Sequence, residues 1–397
     1  MPSSVVTPEK QAKLSTKTTT TSPTVVDLET KIFQIVEGRA ETTAKVELSQ
    51  PITVVDFRDI DISKELGAGS FSCCYEIKSI RKKPFRNVIL KKLSPKVISN
   101  PLLFASVSSD LILEGKILAS VQHPNIISIQ GWSGPDMLQK YIDGDKDSCF
   151  LILDRLDQNL EDRLTKWKNA KPSIWNYPSK RKSLEYALLR DKCHSALNLA
   201  KGLNHLHSHR ILHRDLKPPN IGFDASGTLK IFDFDLARVL TLADDDEKTF
   251  NLTAKVGSPR YMAPEVALGN PYNLKADIYS FGLLAYQILT LKTPWKGQDY
   301  DWSTSNKSLP KSWSAEIRLL MENTLAHDGF DRPNMEAIVA ALENATSNID
   351  EESVNIPDSF TDLFCAVPTY EDVEEIFCLS EICADPCDPC LNEKANK

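Results

Sequence analysis

From about residue 54 the chain runs in short stretches where apolar and polar positions alternate, the period expected of half-buried strands. VVDFRDIDISKEL, SCCYEIKSI and NVILKKL are β-rich segments separated by a glycine turn and a basic loop, and they predict a small antiparallel sheet. LILEGKILASV then carries apolar residues at helical spacing and predicts a helix that opens near Glu114 and stops at HPN, after which CFLILDRL predicts another apolar strand. Beyond it the period changes to that of amphipathic helices, in LEYALLRDKCHSALNLAKGLNHLHSH, KADIYSFGLLAYQILTLK and the stretch around SAEIRLLMENTL. A strand-rich lobe therefore precedes a helix-rich one, and the basic, aromatic TKWKNAKPSIWNYPSKRKS is expected as an insertion between them. Residues 1–55, rich in Ser and Thr without a sustained period, are expected to be a mostly disordered arm.

Composition refines this picture at the ends of the chain. Of 397 residues 41% are hydrophobic, enough for a sizeable core, and no run approaches the roughly 18 apolar residues of a membrane span. The N-terminus lacks the apolar stretch of a signal peptide, so an intracellular protein, cytoplasmic or nuclear, is expected. The net charge of −7 is uneven, because residues 346–397 hold 13 acidic residues against two lysines, or −11, and leave +4 for the rest. This tail also holds five of the nine cysteines, at 365, 378, 383, 387 and 390, and is expected to be a disordered acidic appendage. Zinc or redox chemistry at its cysteines is conceivable, whereas a disulfide framework conflicts with an intracellular location.

Four stretches could carry chemistry. LGAGSFSCCYEI, residues 66–77, places Gly67 and Gly69 between two strand-like segments, where missing side chains would let backbone amides approach phosphates; a plain hairpin is the alternative. In VILKKL, Lys91 shares a strand face with Ile89, and Lys92 shares the other with Val88 and Leu90, so Lys91 could meet phosphates or pair with Glu114. ILHRDLKPPNIGF, residues 211–223, gathers a carboxylate, a cation and an amide in one loop, an inventory suited to phosphoryl transfer. LKIFDFDLAR puts Asp233 and Asp235 on either side of Phe234, which fits a metal site, a carboxylate pair or a solvated turn.

Taken in order, these motifs resemble the eukaryotic protein kinases of serine/threonine type, from about residue 56 to 345. The resemblance implies an α+β, bilobal protein-kinase fold with a small β-rich N-lobe (about 56–156) and a larger, mainly helical C-lobe (about 157–345). It implies ATP and Mg2+ as cofactors and a protein substrate. Leu66, Gly67, Ala68, Gly69, Ser70, Phe71, Ser72 and Cys74 would cover the phosphates, with Ser72 where a third glycine is usual and Cys74 where a valine is usual. Lys91 would contact the α- and β-phosphates with Glu114 as its partner, and Asp154 to Leu156 would offer backbone groups to adenine beyond a gatekeeper at Leu153. Asp215 would be the catalytic base, Lys217 the γ-phosphate contact, and Asn220 and Asp233 the magnesium ligands. GSPRYMAPE, residues 257–265, is similar to the end of an activation segment, with Ser258 beside Asp215 and Lys217; Asp277 would anchor the catalytic loop and Arg332 would pair with Glu265.

Lys217 and GSPRYMAPE lean towards Ser/Thr rather than Tyr acceptors, and Arg214 before the base suggests control by phosphorylation at Thr253 or, second, Thr249. Two departures stand out. Asp235 occupies the place of the motif's glycine, where it is expected to face solvent; the next reading is impaired or altered switching between active and inactive states, and an outer-shell metal ligand or a group repelling ATP are further alternatives. In the adenine pocket Ile89 replaces a small roof residue and Gly222 a floor leucine, so ATP is expected to tilt towards Gly222. An alternative to the active enzyme is a kinase-fold pseudoenzyme scaffold that binds nucleotide or partners with little transfer. Neither nucleic acid nor a membrane span is expected, and regulatory partners would act through the tails.

Overall fold

A computed structural model describes residues 46, 48–170, 178–240, 248–294, 309 and 315–353. Residues 1–45 and 47 of the N-terminal arm, the acidic run 244–247 and residues 354–397 of the cysteine-bearing tail lie outside them. The first part is a six-stranded sheet built from β1 (Ile60–Ala68), β2 (Ser72–Ile80), β3 (Lys83–Pro84), β4 (Val88–Leu93), β5 (Ile129–Trp132) and β6 (Phe150–Asp154). Its order is β1-β2-β4-β6-β5, with β3 on β2, and every neighbouring pair is antiparallel. Val88 and Leu90 of β4 pack into one apolar cluster with Ile77, Phe150 and Ile152, which turns Ile89 and Lys91 to the opposite face, as the alternation predicts.

That opposite face is covered by helices. After a single turn, α1 (Pro95–Ile98), comes α2 (Pro101–Ser120), which begins ten residues earlier than the apolar spacing of LILEGKILASV indicates. Asn100 caps it by accepting from the Leu103 amide at 3.1 Å, and Pro101 needs no amide partner in the first turn. Glu114 therefore lies in the body of α2 rather than at its start. Gly115 beside it is a site of close approach: a Cβ there would sit 3.1 Å from Leu151 and 3.3 Å from Trp132, so glycine lets α2 press onto the sheet and brings Glu114 within reach of β4. A short α3 (Met137–Ile142) closes this part.

The second part is mainly helical. β7 (Gln158–Asn159) leads into α4 (Leu160–Asn169), held by a capping box between Asn159 and Asp162. The basic insertion is thus partly helical: its first residues end α4, its last lie in α5 (Pro178–Ser208), and 171–177 fall outside the described residues. Short strands β8 (Ile211–Leu212), β9 (Ile221–Phe223), β10 (Leu229–Ile231) and β11 (Arg238–Val239) follow, then α6 (Pro264–Leu268), α7 (Lys275–Thr290), α8 (Ala315–Thr324) and α9 (Met335–Ser353). α5 packs against α7 and α9, and its Gly202 lies so close to the HPN turn that a Cβ would meet the Asn125 carbonyl at 2.8 Å. Asn125 in turn accepts from the Ile231 amide at 2.9 Å and donates its side chain to the Leu229 carbonyl at 2.9 Å, tying the end of α2 to β10. Among the described residues no helix is long and apolar enough to cross a membrane.

Candidate active site

The turn between β8 and β9 carries the densest polar network of the helical part. Asp277, 1% exposed in the first turn of α7, accepts from the backbone amides of His213 (2.7 Å) and Arg214 (2.9 Å), which fixes the loop before its carboxylate appears. Burial pushes the Asp277 carboxyl up, but hydrogen bonding to His207 and the charges of His207 and His213 outweigh it and hold it below the ordinary value. Asp215 then presents both oxygens. Oδ1 accepts from Ser258 Oγ at 2.9 Å, and Oδ2 accepts from Lys217 Nζ at 2.8 Å and Asn220 Nδ2 at 3.0 Å. Asn220 Nδ2 also donates to the Asp215 carbonyl at 2.9 Å. With its nitrogen thus committed, the Asn220 amide oxygen is the group left to meet a hard cation.

Gly257 makes the approach of Ser258 possible. Its φ is +95°, and a Cβ there would lie 2.2 Å from the Arg214 carbonyl oxygen, so only glycine permits this crossing of two backbones. Glu265 receives a bidentate ion pair from Arg332, at 2.7 and 2.9 Å, and the guanidinium also donates to the carbonyls of Ala326, Lys275 and His327.

Across the cleft, Lys91 Nζ stands 3.0 and 2.8 Å from the two oxygens of Glu114, 2.8 Å from Asp235 Oδ1 and 3.3 Å from Asp233 Oδ1. Phe234 donates its amide to Glu114 Oε1 at 3.3 Å, so α2, β4 and the segment after β10 meet at one point. Burial lowers Lys91, but Asp235, Glu114 and Asp233 together hold it well above its ordinary value. Burial pushes Glu114 up to about 8, with Asp235 and Asp233 adding to it against the pull of Lys91. Asp235 is drawn down by Lys91 in spite of its own burial.

Asp235 therefore does not face solvent as expected; it joins the Lys91 network because the turn swings its carboxylate inward beside Asp233. Nor does it carry the unusual backbone torsion of a replaced glycine. The left-handed residue of this turn is Asp233, with φ +68°. Among the described residues, Glu114, Asp233 and Asp235 form the one group of three or more His, Cys, Asp or Glu side chains with potential ligand atoms within 4.8 Å of one another.

Residues 60–342 match the protein kinase domain family. The chain belongs to the protein kinase family. Similar proteins include the serine/threonine-protein kinase STY46 of Arabidopsis thaliana, 32% identical over 42% of this chain and 29% of the relative. The dual specificity protein kinase pyk3 of Dictyostelium discoideum is 28% identical over 74% of this chain and 19% of its own length. The serine/threonine-protein kinase CTR1 of Arabidopsis thaliana is 25% identical over 72% and 31%. The chain spans less than a third of the length of each.

Within the kinase domain, Leu66, Gly67 and Ala68 end β1, and Gly69, Ser70 and Phe71 make the turn into β2, closed by the Gly69 amide on the Ser72 carbonyl at 2.7 Å. Leu66 and Phe71 are exposed, and Cys74 lies opposite Lys91 in the sheet. At the hinge, the Asp154 amide is spent on the Ser128 carbonyl (3.2 Å) and the Arg155 amide on that of Asn87 (2.8 Å). The Asp154 carboxylate accepts from the Ser128 amide and from Gln130 Nε2.

The space over Gly222 is not open to a tilted nucleotide. Leu156 folds back from the hinge so that a Cβ on Gly222 would lie 2.5 Å from its Cδ1. The floor is thus supplied from the hinge, a long-range replacement that spacing along the chain does not signal. Thr249 and Thr253 are both exposed; Tyr272 donates its hydroxyl to the Thr253 carbonyl (2.9 Å) and accepts from Arg214 (3.3 Å).

Proposed function

We infer that this chain is a protein serine/threonine kinase that transfers the γ-phosphoryl group of Mg-ATP to protein hydroxyls. The observation that carries the inference is the convergence of Lys217, Asn220 and Ser258 on the Asp215 carboxylate. The kinase names of its relatives support it, as do Lys217 and GSPRYMAPE for Ser/Thr acceptors.

The donor set fits magnesium, because the Asn220 amide oxygen and the Asp233 carboxylate are hard oxygen ligands flanking the cleft. When bound, the ion would offset phosphate charge. Asp215 orients the acceptor hydroxyl and takes its proton as the oxygen bonds to phosphorus and the bond to the ADP oxygen breaks. Ser258 Oγ already meets Asp215 at hydroxyl-donor distance. Lys217, 2.8 Å from the base, is near enough to carry positive charge to the γ-phosphate, and Lys91 holds the α- and β-phosphates. Asp154 to Leu156 supply the backbone groups for adenine, with the amides of Asp154 and Arg155 already engaged, and residues 66–72 with Cys74 cover the phosphates. Phosphorylation of Thr253, or of Thr249, would place a dianion near Arg214 and order the segment.

The test is transfer of labelled phosphate from ATP with magnesium to the chain itself and to a generic basic protein. Transfer onto Ser/Thr is expected, and its loss in Asp215→Asn, with the fold retained, ties it to the site. Absence of transfer above that variant, from protein phosphorylated at Thr253, would favour a nucleotide-binding scaffold, a reading to which the carboxylates crowded on Lys91 also speak.

A further inference from the structure

An ammonium has three hydrogens to donate. Lys91 has four carboxylate oxygens within 3.3 Å, from Glu114, Asp235 and Asp233, so nothing remains for a phosphate unless one of them lets go. Glu114 is fully buried in α2 and cannot leave. Asp233 is the weakest contact, at 3.3 Å. Asp235, at 2.8 Å, is as close as Glu114, yet its side chain is 33% exposed and sits on a turn at the cleft. Asp235 is thus a partly exposed anion paired with the cation that, on the function proposed above, meets a nucleotide phosphate.

We propose that Asp235 is a built-in phosphate mimic that latches Lys91 in the nucleotide-free protein and sets nucleotide affinity by competing for that lysine. The proposal rests on the reading of Lys91 as the nucleotide's phosphate contact. Binding exchanges Asp235 for a phosphate oxygen on Lys91 and returns the carboxylate to solvent, so part of the new ion pair is offset by the loss of the old one. Because one anionic partner replaces another at a partly exposed site, the effect is a fraction of the full Coulomb energy. Removing the carboxylate is expected to tighten binding roughly fivefold to twentyfold. Adenosine, which has no phosphate, is expected to gain nothing. This explains in one step why the departure from glycine sits beside an otherwise complete ion pair: the side chain acts on the empty site and gives way in the filled one.

The experiment is isothermal titration of the full chain with ATP, ADP and adenosine, each in EDTA and with excess magnesium, for wild type, Asp235→Asn and Asp235→Gly. The Asn variant keeps the shape of the side chain and guards against a fold defect in the Gly variant, and thermal melts of all three check it. The expected result is tighter ATP and ADP in both variants with adenosine unchanged. Unchanged ATP affinity overturns the latch and makes Asp235 a bystander. Weaker binding confined to magnesium overturns it in favour of a metal ligand, and equal gains for adenosine overturn it in favour of a reshaped pocket. Absence of ATP, ADP and adenosine binding in all three folded proteins overturns the kinase reading itself, and the latch falls with it.

Discussion

The floor of the proposed adenine site gives a sharp test of how its two halves fit. Gly222 has no side chain because Leu156 already fills the space: a Cβ there would stand 2.5 Å from Leu156 Cδ1, more than 1 Å inside an ordinary carbon–carbon contact of about 3.5–4.0 Å. Phe232 at 3.2 Å and Leu156 Cβ at 3.3 Å close the other sides. Gly222→Leu must displace Leu156, and if these residues floor the proposed adenine slot, the displacement is expected to cost nucleotide binding. Overpacking of this kind costs about 1–3 kcal/mol; taking about 2 kcal/mol from binding, ADP affinity should fall roughly 30-fold. Leu156→Ala removes the obstruction but also apolar contact with the base, and should cost about 1 kcal/mol, or roughly fivefold. The double variant moves the leucine from hinge to strand and should return to within about threefold of wild type, a coupling between touching residues far from additivity. Calorimetric titration with Mg-ADP measures all four proteins. Wild-type affinity in Gly222→Leu, or losses that simply add in the double variant, would refute the account of Leu156 as the floor.

Three further outcomes follow from other contacts. Arg332→Met should destabilise the chain by about 3–5 kcal/mol in urea unfolding, because Arg332 is 1% exposed and its loss leaves Glu265 without its bidentate partner and strips three carbonyls of their donor; a loss under about 1 kcal/mol would mean that the buried pair contributes little to the fold. Gly257→Ala should abolish phosphate transfer while the sheet-rich part keeps its fold, since the new Cβ would fall 2.2 Å from the Arg214 carbonyl and push the catalytic loop from Ser258; near-normal transfer would count against that crossing. His123, stacked on His205, is held down to about 4 from 6.5 by burial first and then by His205 and nearby lysines. A group depressed in the fold contributes stability above its unfolded value, lost as the pH falls. The protein should therefore lose about 1–2 kcal/mol between pH 6.5 and 4, discounted for partial exposure, and His123→Gln should flatten that limb of the pH–stability curve; an equally steep limb in the variant would assign the loss elsewhere.

The parts of this architecture that were readable in the chain are those set by local period. Alternation in VILKKL separates Lys91 from Lys92, and Lys92 does lie on the other face, over the ring of Phe57 at 4.4 Å. The start of α2 was hidden because PLLFASVSSD mixes serines into the apolar stripe; Ser108 and Ser109 satisfy their hydroxyls on the Ala105 carbonyl and so tolerate a buried helical position. IQGW is too short to show a period, yet it is an edge strand held by β6 and by a parallel bridge to Val54. What no local pattern carries is which groups meet across the fold. Asp235 spaced two from Asp233 is compatible with solvent or with Lys91, and the turn that brings its carboxylate to 2.8 Å from Lys91 is a long-range placement that spacing does not carry.

The departures from the family pattern fall on one side of the chemistry. Asp235 pairs with Lys91, the proposed phosphate contact, and Gly222 with Leu156 lies at the proposed adenine slot, whereas Asp215 keeps the contacts expected of it, from Lys217 and Asn220 to the Asp277 clamp. The hydrogen bonds of Lys217, Asn220 and Ser258 to Asp215 hold in place the groups that the proposed transfer needs, while the carboxylates on Lys91 lie where the proposed competition with nucleotide would act. The two regions can therefore be tested separately, transfer through Asp215 and nucleotide affinity through Asp235.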